Sequence, residues 1–378
     1  MDHILEILSN LINFRSITPH SAGAIEYIAD LLQNNGFSIN IQKFGSDDSQ
    51  VYNLYARYGS LNPNICFAGH VDVVPPGDLR KWQHDPFKIK IIDNKIFGRG
   101  TVDMKGTIAC MLAATIKFIL NNPQPSGSIS FLLTSDEEGA AEHGTKKMLL
   151  YLKDKNEKID FTILGEPTSE HLVGDTIKIG RRGSINFTLK INGKQGHVAY
   201  PNEAINPIHI LVRVLNELCK YCFDQGTEFF QSSNLEVTNI DIGNDTTNVI
   251  PNQATAIFNI RFNDSHNEKE LISIISDIVS KYIKDYEPLS KLSADCFIQK
   301  PNDYIKQFLQ VASEVCSAST KFSTSGGTSD ARFIKNYSSV VEFGLLHKTA
   351  HQIDEHTKIN DLQLAHDVYY NALIKFLL

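Results

Sequence analysis

Four short apolar runs constrain the fold of this chain more than any other feature, because each ends abruptly in acids or a histidine. Asn64 to Ala68 leads into His70-Val71-Asp72, Ser128 to Thr134 into Asp136-Glu137-Glu138, and Phe161 to Leu164 into Glu166. Ser339 to Phe343 leads through a short loop to His351. Runs of this length suit buried strands, and helical spacing follows between them, as in Thr107 to Leu120. The alternation predicts an α/β fold whose sheet is covered on both sides. In such sheets ligands gather outside the carboxyl ends of the strands, so the four segments are expected to converge although they lie far apart in sequence.

From Lys178 to Ser293 the texture changes. Ile185, Phe187, Leu189 and Ile191 alternate with polar residues as in a half-exposed strand, and a helix follows over about Asn206 to Cys222. Strands over Leu235 to Ile242 and Ala254 to Phe262 then precede a helix over Glu268 to Tyr282. This β-α-β-β-α order suits a two-layer α+β domain with helices on one face of an antiparallel sheet. Helical spacing resumes at Lys306 to Cys316. A chain of 378 residues suits two domains. The expected organisation is therefore a sheet-centred domain in two parts, 1–177 and 294–378, interrupted by an inserted domain at 178–293.

The formal charge of -7 leaves no basic excess to neutralise phosphates, which excludes a general nucleic-acid binder. No apolar run reaches the roughly 20 residues needed to span a bilayer. Met1 to Arg15 reads as an amphipathic helix with Ile4, Leu5, Leu8, Leu11 and Ile12 on one face, and as a mature cytoplasmic start. Six scattered cysteines suit buried reduced thiols rather than a disulfide framework. Cys219 and Cys222 stand in a C-x-x-C spacing, but within a helical pattern and with no second pair to complete a zinc site.

The strand ends carry the chemistry. Residues two apart in extended chain share a side, so Asp72 is placed to accept the second ring N–H of His70 and fix its tautomer for metal binding. Asp103 follows the turn Gly98-Arg99-Gly100, which completes neither dinucleotide nor P-loop spacing. A carboxylate beside a helix start can instead be held by backbone N–H groups while its two oxygens reach two ions. Three adjacent acids, Asp136 to Glu138, call for a compensating cation, and alternation lets Glu138 bind metal while Glu137 addresses a water. Glu166 and His351 add further donors. Two histidines and three carboxylates form a mixed N/O set suited to zinc, or to cobalt or manganese. Two such ions lie about 3.5 to 4 Å apart and lower the pKa of a bound water to roughly 7, which permits hydrolysis near neutral pH.

Gly69-His70-Val71-Asp72-Val73-Val74-Pro75, Gly98-Arg99-Gly100 through Asp103-Met104-Lys105-Gly106, Thr134-Ser135-Asp136-Glu137-Glu138-Gly139 and Gly165-Glu166-Pro167-Thr168 together resemble the metal motifs of the M20 peptidase family, in order and spacing. The resemblance implies a zinc-peptidase-like catalytic domain with an inserted lid and dimerisation domain, and two Zn2+ per subunit. It implies one zinc on His70 and Glu166, another on Glu138 and His351, Asp103 bridging, and Glu137 as general base. It further implies that His197 donates to the oxyanion of a tetrahedral intermediate across a homodimer, with Asn248 also reaching the neighbouring site.

Within the inserted domain, Gly180-Arg181-Arg182-Gly183-Ser184, Gly193-Lys194-Gln195-Gly196-His197 and Thr247-Asn248-Val249-Ile250-Pro251-Asn252 resemble the desuccinylase branch of that family, as does Ser325-Gly326-Gly327-Thr328-Ser329-Asp330. A succinyl amide carries a free carboxylate, which guanidinium groups recognise through paired hydrogen bonds. Arg181 and Arg261 are the candidates, with Ser184, Asn248, Gly327 and Thr328 as neutral donors, the last two through a backbone nest. Arg182 is expected to be a surface charge. The sequence departs from the branch at His347-Lys348, where a small amide residue commonly precedes the last metal histidine. The alternatives are another acyl-amino-acid hydrolase of the family and a metal- or ligand-binding protein without catalysis. No G-x-S-x-G elbow or H-E-x-x-H helix supports other hydrolase types.

Overall fold

A computed structural model describes residues 1–46 and 50–378. The chain divides into two compact units: Met1–Ile179, Gln299–Ser323 and Ser329–Leu378 form the first, and Gly180–Ile298 with Thr324–Thr328 form the second.

The first unit is built on an eight-stranded mixed sheet, in the order Ser38–Phe44, Val51–Tyr58, Ser128–Thr134, Asn64–His70, Phe161–Leu164, Ser339–Glu342, Thr176–Lys178, Lys321–Ser323. The middle four strands, from Ser128–Thr134 to Ser339–Glu342, run parallel to one another. Asn64–His70, Ser128–Thr134 and Phe161–Leu164 are buried at every position, which is why they read as unbroken apolar runs rather than alternating ones. Their register aligns His70 with Thr134 and Ala68 with Leu164. Parallel direction and this register bring the polar segments after the three strands to one end of the sheet.

Helix Lys105–Asn121 is buried on nearly all sides and packs between Asp2–Asn13 and Ile359–Leu377. Its first turn folds closely against the preceding loop because Gly106 has no side chain: a Cβ there would lie 2.1 Å from the carbonyl oxygen of Thr101. In Asp2–Asn13 the buried face is Ile4, Ile7, Leu8, Leu11 and Ile12, so Ile7 takes the core place expected of Leu5. No helix of the described residues is long and apolar enough to cross a membrane.

The second unit carries a four-stranded antiparallel sheet in the order Asn234–Asp241, Gln253–Phe262, Gly183–Asn192, Tyr286–Ala294. Helices Pro207–Lys220 and Glu268–Ser280 close its core around Phe187, Phe258 and Ile260. Asn206 caps the first of these helices and Asn267 with Glu270 forms a capping box on the second. The strand Tyr286–Ala294 is absent from the sequence expectation: it is an edge strand exposed along most of its length, so burial imposes no alternation on it. The cysteines also depart from expectation. Cys66 and Cys110 are buried, but Cys219 and Cys222 are exposed, the first near the end of a helix and the second beyond it.

Candidate metal centre

The sheet end gathers the five expected ligand side chains and Glu137 in one place. His70 closes its strand with only 1% of its side chain exposed, and its ring Nδ1 donates to the carbonyl oxygen of Asp72 at 2.9 Å. That bond places a proton on Nδ1 and turns Nε2 toward the acids. Nε2 lies 3.3 Å from Asp103 Oδ1 and 3.9 Å from both Glu137 Oε2 and Glu166 Oε1. His351, from the far end of the chain, places its Nε2 2.7 Å from Glu138 Oε1 and 3.2 Å from Asp103 Oδ2. Each oxygen of Asp103 therefore faces a different histidine. The backbone at His351 has φ +63°, in the left-handed region, and the Asp103–Met104 peptide bond is cis.

The Asp72 carboxylate does other work than that expected of it. It sits 3.6 Å from His70 Nδ1, while accepting the backbone N–H of Glu137 at 3.2 Å and of Glu138 at 3.1 Å. The main chain of Asp72 thus fixes the histidine, and its side chain fixes the turn that bears the two glutamates. Asp136 does not face the cluster: its carboxylate accepts the N–H groups of Ala141, Glu142 and His143 and shapes the loop beyond. Of the three adjacent acids, only Glu137 and Glu138 thus face the cluster. Gly344 lets a neighbouring strand approach Glu166 closely, since a Cβ there would lie 2.4 Å from the Glu166 carbonyl oxygen.

The electrostatics are those of an acid cluster that holds protons on its histidines. For His351, contact with Asp103 and then Glu138 pushes the ring up to about 10. Burial alone would lower His70, but Asp103 and the charges of Asp72 and Glu137 outweigh it and hold the ring well above its usual range. Burial opposes ionisation of Asp103 too, yet His351 and His70 hold it well below the carboxylate range. Burial and the adjacent Glu166 carboxylate push Glu137 well above its ordinary value, with Asp330 and Glu138 adding to the rise. A divalent cation replaces such protons directly. The donors fit: His70, Asp103 and Glu138 offer atoms mutually within 4.8 Å, as do His70, Glu137 and Glu166. His70 Nε2 and Asp103 Oδ1 are buried without a hydrogen bond. Nitrogen and carboxylate oxygen donors suit a borderline divalent ion.

Three residues of the surrounding shell carried no sequence signal of their role. Arg99 and Glu355 form a buried ion pair at 2.6 Å, and Lys105, wholly buried, donates to the Phe14 carbonyl oxygen at 2.8 Å. Their glycine-rich and acidic surroundings marked the segments, but nothing local reveals a pairing between distant residues.

The expected substrate-binding residues lie in the second unit. Arg181 is buried and donates to the Ser325 carbonyl oxygen at 3.2 Å, which ties it to the segment that bears Gly327 and Thr328. Ser184 and Arg261 are cross-strand partners, and Ser184 Oγ accepts from Asn259 at 3.0 Å. His197 is exposed and pairs with Val249, while Val198 N–H donates to the Asn248 carbonyl oxygen at 3.2 Å, so His197 and exposed Asn248 share one two-stranded ribbon. Arg182 is not a free surface charge: it is half-buried and donates to Asn234 Oδ1 at 2.8 Å and to the Ser232 carbonyl oxygen. His347 is exposed, with its ring 2.8 Å from the Ser169 carbonyl oxygen, and Lys348 is exposed.

A mixed sheet ending in paired histidines and carboxylates is the arrangement of a metallopeptidase fold. Residues 66–375 match the peptidase family M20/M25/M40, and the chain belongs to that family. It is 58% identical over 375 residues to a succinyl-diaminopimelate desuccinylase of Rickettsia bellii (strain RML369-C), across 98% of this chain and 96% of the relative. Among solved structures, the aminopeptidase PepT of Bacillus cereus superposes with a TM-score of 0.79 at 18% identity, covering 99% of this chain and 98% of its own. The YXEP protein of Bacillus subtilis, described as a dinuclear metal binding peptidase of the M20 family, gives 0.68 at 15% identity, covering 99% and 98%. At these identities the two structures establish the fold alone.

Proposed function

We propose that this chain is a two-metal amide hydrolase that cleaves N-succinyl-L,L-2,6-diaminopimelate to succinate and L,L-2,6-diaminopimelate, a step of lysine and diaminopimelate biosynthesis in the cytoplasm. The observation that carries the hydrolytic reading is Asp103, whose two oxygens face His70 at 3.3 Å and His351 at 3.2 Å, as a carboxylate shared by two cations requires. The substrate rests on the 58% identity to a desuccinylase over almost the whole length.

His70 and Glu166 would hold one ion, Glu138 and His351 the other, and Asp103 both. Zinc suits this donor set, with cobalt or manganese as substitutes. When bound, the ions polarise the amide oxygen and lower the pKa of a coordinated water. Glu137 accepts a proton from the attacking water and returns it to the leaving nitrogen as the amide C–N bond breaks. Its raised affinity for a proton suits both steps. Asp72 holds Glu137 in place through the backbone. In the second unit, Arg181 and Arg261 recognise the free carboxylate of the succinyl group, with Ser184, Gly327 and Thr328 as supporting donors. His197 and Asn248, on their exposed ribbon, serve the neighbouring subunit of a homodimer formed through the inserted domain, where His197 donates to the developing oxyanion.

The test is metal content together with hydrolysis of succinyl-diaminopimelate by the purified protein, followed by release of the free amine. Two ions per chain and turnover of this substrate in preference to acetylornithine are expected. Preference for acetylornithine would move the chain to another acyl-amino-acid hydrolase of the family, and two bound ions with no amide cleavage would remove catalysis from the reading.

A further inference from the structure

We propose that the buried Arg99–Glu355 ion pair is a positioning device for the metal centre, locking the backbone of Asp103 to the backbone of His351. The proposal rests on the two-metal reading above but not on the identity of the substrate.

Arg99 is 2% exposed and Glu355 is fully buried. One oxygen of Glu355 accepts from Arg99 Nη1 at 2.6 Å, and the other accepts the backbone N–H of Val102 at 2.8 Å and of Asp103 at 3.1 Å. Arg99 Nη1 also donates to the Gln352 carbonyl oxygen at 3.2 Å, and Nη2 to the His351 carbonyl oxygen at 3.3 Å. The Glu355 carbonyl oxygen accepts from Gly98 N–H at 2.9 Å, and the guanidinium lies 5.2 Å from the ring centre of Trp82. The bonds to the Glu355 carboxylate other than that from Arg99 come from the main chain of the turn at 100–103, with Val102 and Asp103 giving the two short ones. The two bonds that the Arg99 guanidinium gives to main-chain carbonyls end at His351 and its neighbour.

A buried ion pair is a poor stabiliser in itself, because the cost of removing two charges from water absorbs most of their attraction, and apolar replacements of like volume are often neutral or better. Retaining one here has a geometric use. Asp103 precedes a helix and His351 sits in a loop with a left-handed backbone, and no sheet pairing joins these two residues. The planar fork of a guanidinium can grip a carboxylate and two carbonyl oxygens at once, which a lysine ammonium on a flexible stem does not reproduce. The pair therefore sets the distance between a shared carboxylate and a ligand of one ion only. Its loss should weaken chiefly the ion held by Glu138 and His351.

The experiment is a Co(II) titration of the metal-free protein, read by calorimetry and by the visible absorption of the bound ion. Two variants are compared with the natural chain: Glu355→Gln, and the double replacement Arg99→Met with Glu355→Leu. In Glu355→Gln the amide oxygen can still accept from Val102 and Asp103 while its NH2 group repels Arg99. One Co(II) equivalent should bind nearly as before and the other about 10 to 100-fold more weakly with an altered spectrum, the range set by losing an outer partner of a metal ligand. The double variant leaves the N–H groups of Val102 and Asp103 without their acceptor and should melt lower than the natural chain, but its folded protein should bind one equivalent nearly as before and lose the second, a selective loss that a merely structural pair would not give. Both equivalents binding either variant with natural affinity and spectrum would overturn the proposal. So would failure of both variants to fold, since the pair would then serve the fold rather than the centre. Natural protein that binds two Co(II) but leaves succinyl-diaminopimelate intact would sink the substrate reading and leave this proposal standing.

Discussion

Replacing Asp72 by asparagine separates two ways in which this residue could serve the centre. The ring of His70 is held by the Asp72 carbonyl, which the substitution keeps, whereas the glutamate turn is held by the Asp72 carboxylate, which it neutralises. The amide oxygen can occupy the place of Oδ2 and still accept from Glu137 and Glu138, but without charge. A charge-assisted bond of about 1.5–3 kcal/mol then becomes a neutral one of about 0.5–1.5 kcal/mol, so the two bonds together lose about 2–3 kcal/mol. Part of that appears as lower stability and the rest as a poorly held Glu137. At about 1.4 kcal/mol per factor of ten, kcat should fall roughly 10 to 100-fold. The assay is amine release from succinyl-diaminopimelate at saturating metal, beside a metal titration of the same variant. Unchanged kcat with metal affinity down 10 to 100-fold would refute the reasoning, because Asp72 would then act through His70.

Glu137→Gln should retain both ions and lose roughly 10^2 to 10^4 in kcat, the usual worth of a positioned general base. Activity at the natural level with metal bound would remove it from that role. Arg181→Ala should lower kcat/KM for the succinyl substrate about 10 to 100-fold, as one charge-assisted contact predicts, while sparing acetylornithine. Equal loss on both would mean that Arg181 only holds the Ser325 segment. Because His351 is pushed up to about 10, metal uptake at neutral pH must displace its proton, so affinity should rise as pH increases toward that value, by up to about tenfold per unit for each proton released. Calorimetry in buffers of different ionisation heat would detect the proton, and pH-independent binding without release would contradict the geometry. Burial pulls Lys105 down to about 7 from its usual 10.5. A lowered folded value means stability present above about 10.5 and lost as pH falls through about 7, so unfolding free energy of the metal-free protein should rise across that window by at most about 1.4 kcal/mol per unit. Urea unfolding of Lys105→Met should lack the rise.

The parts of the fold that could be read from sequence are those on which burial imposes a pattern, an unbroken run where it acts from two sides and an alternation where it acts from one, as in Gly183–Asn192. Strands Ser128–Thr134 and Phe161–Leu164 are buried at every position, so their apolar runs start and stop where the strands do. The edge strand Tyr286–Ala294 is exposed, and the Pro288 and Lys291 it carries are the residues of an edge. The site was legible by the same logic: parallel strands deliver their carboxyl ends to one place, so acids and histidines there must meet. The bonds that hold those residues were not. Whether Asp72 meets a histidine or a backbone turn, and whether Asp136 faces a cation or its own loop, depends on how each main chain bends after its strand. Period-two reasoning fails where the strand ends, and a pairing such as Arg99 with Glu355 leaves no local trace.

The backbone angle at His351 sets folding and ligation against each other. A histidine held left-handed costs about 1–2 kcal/mol that glycine, and to a lesser degree asparagine, would not incur. His351→Gly should therefore relax the loop while removing the imidazole, so thermal tolerance of the metal-free protein is no guide to a working centre. A screen for heat-resistant variants that ignored turnover would tend to erase this position first.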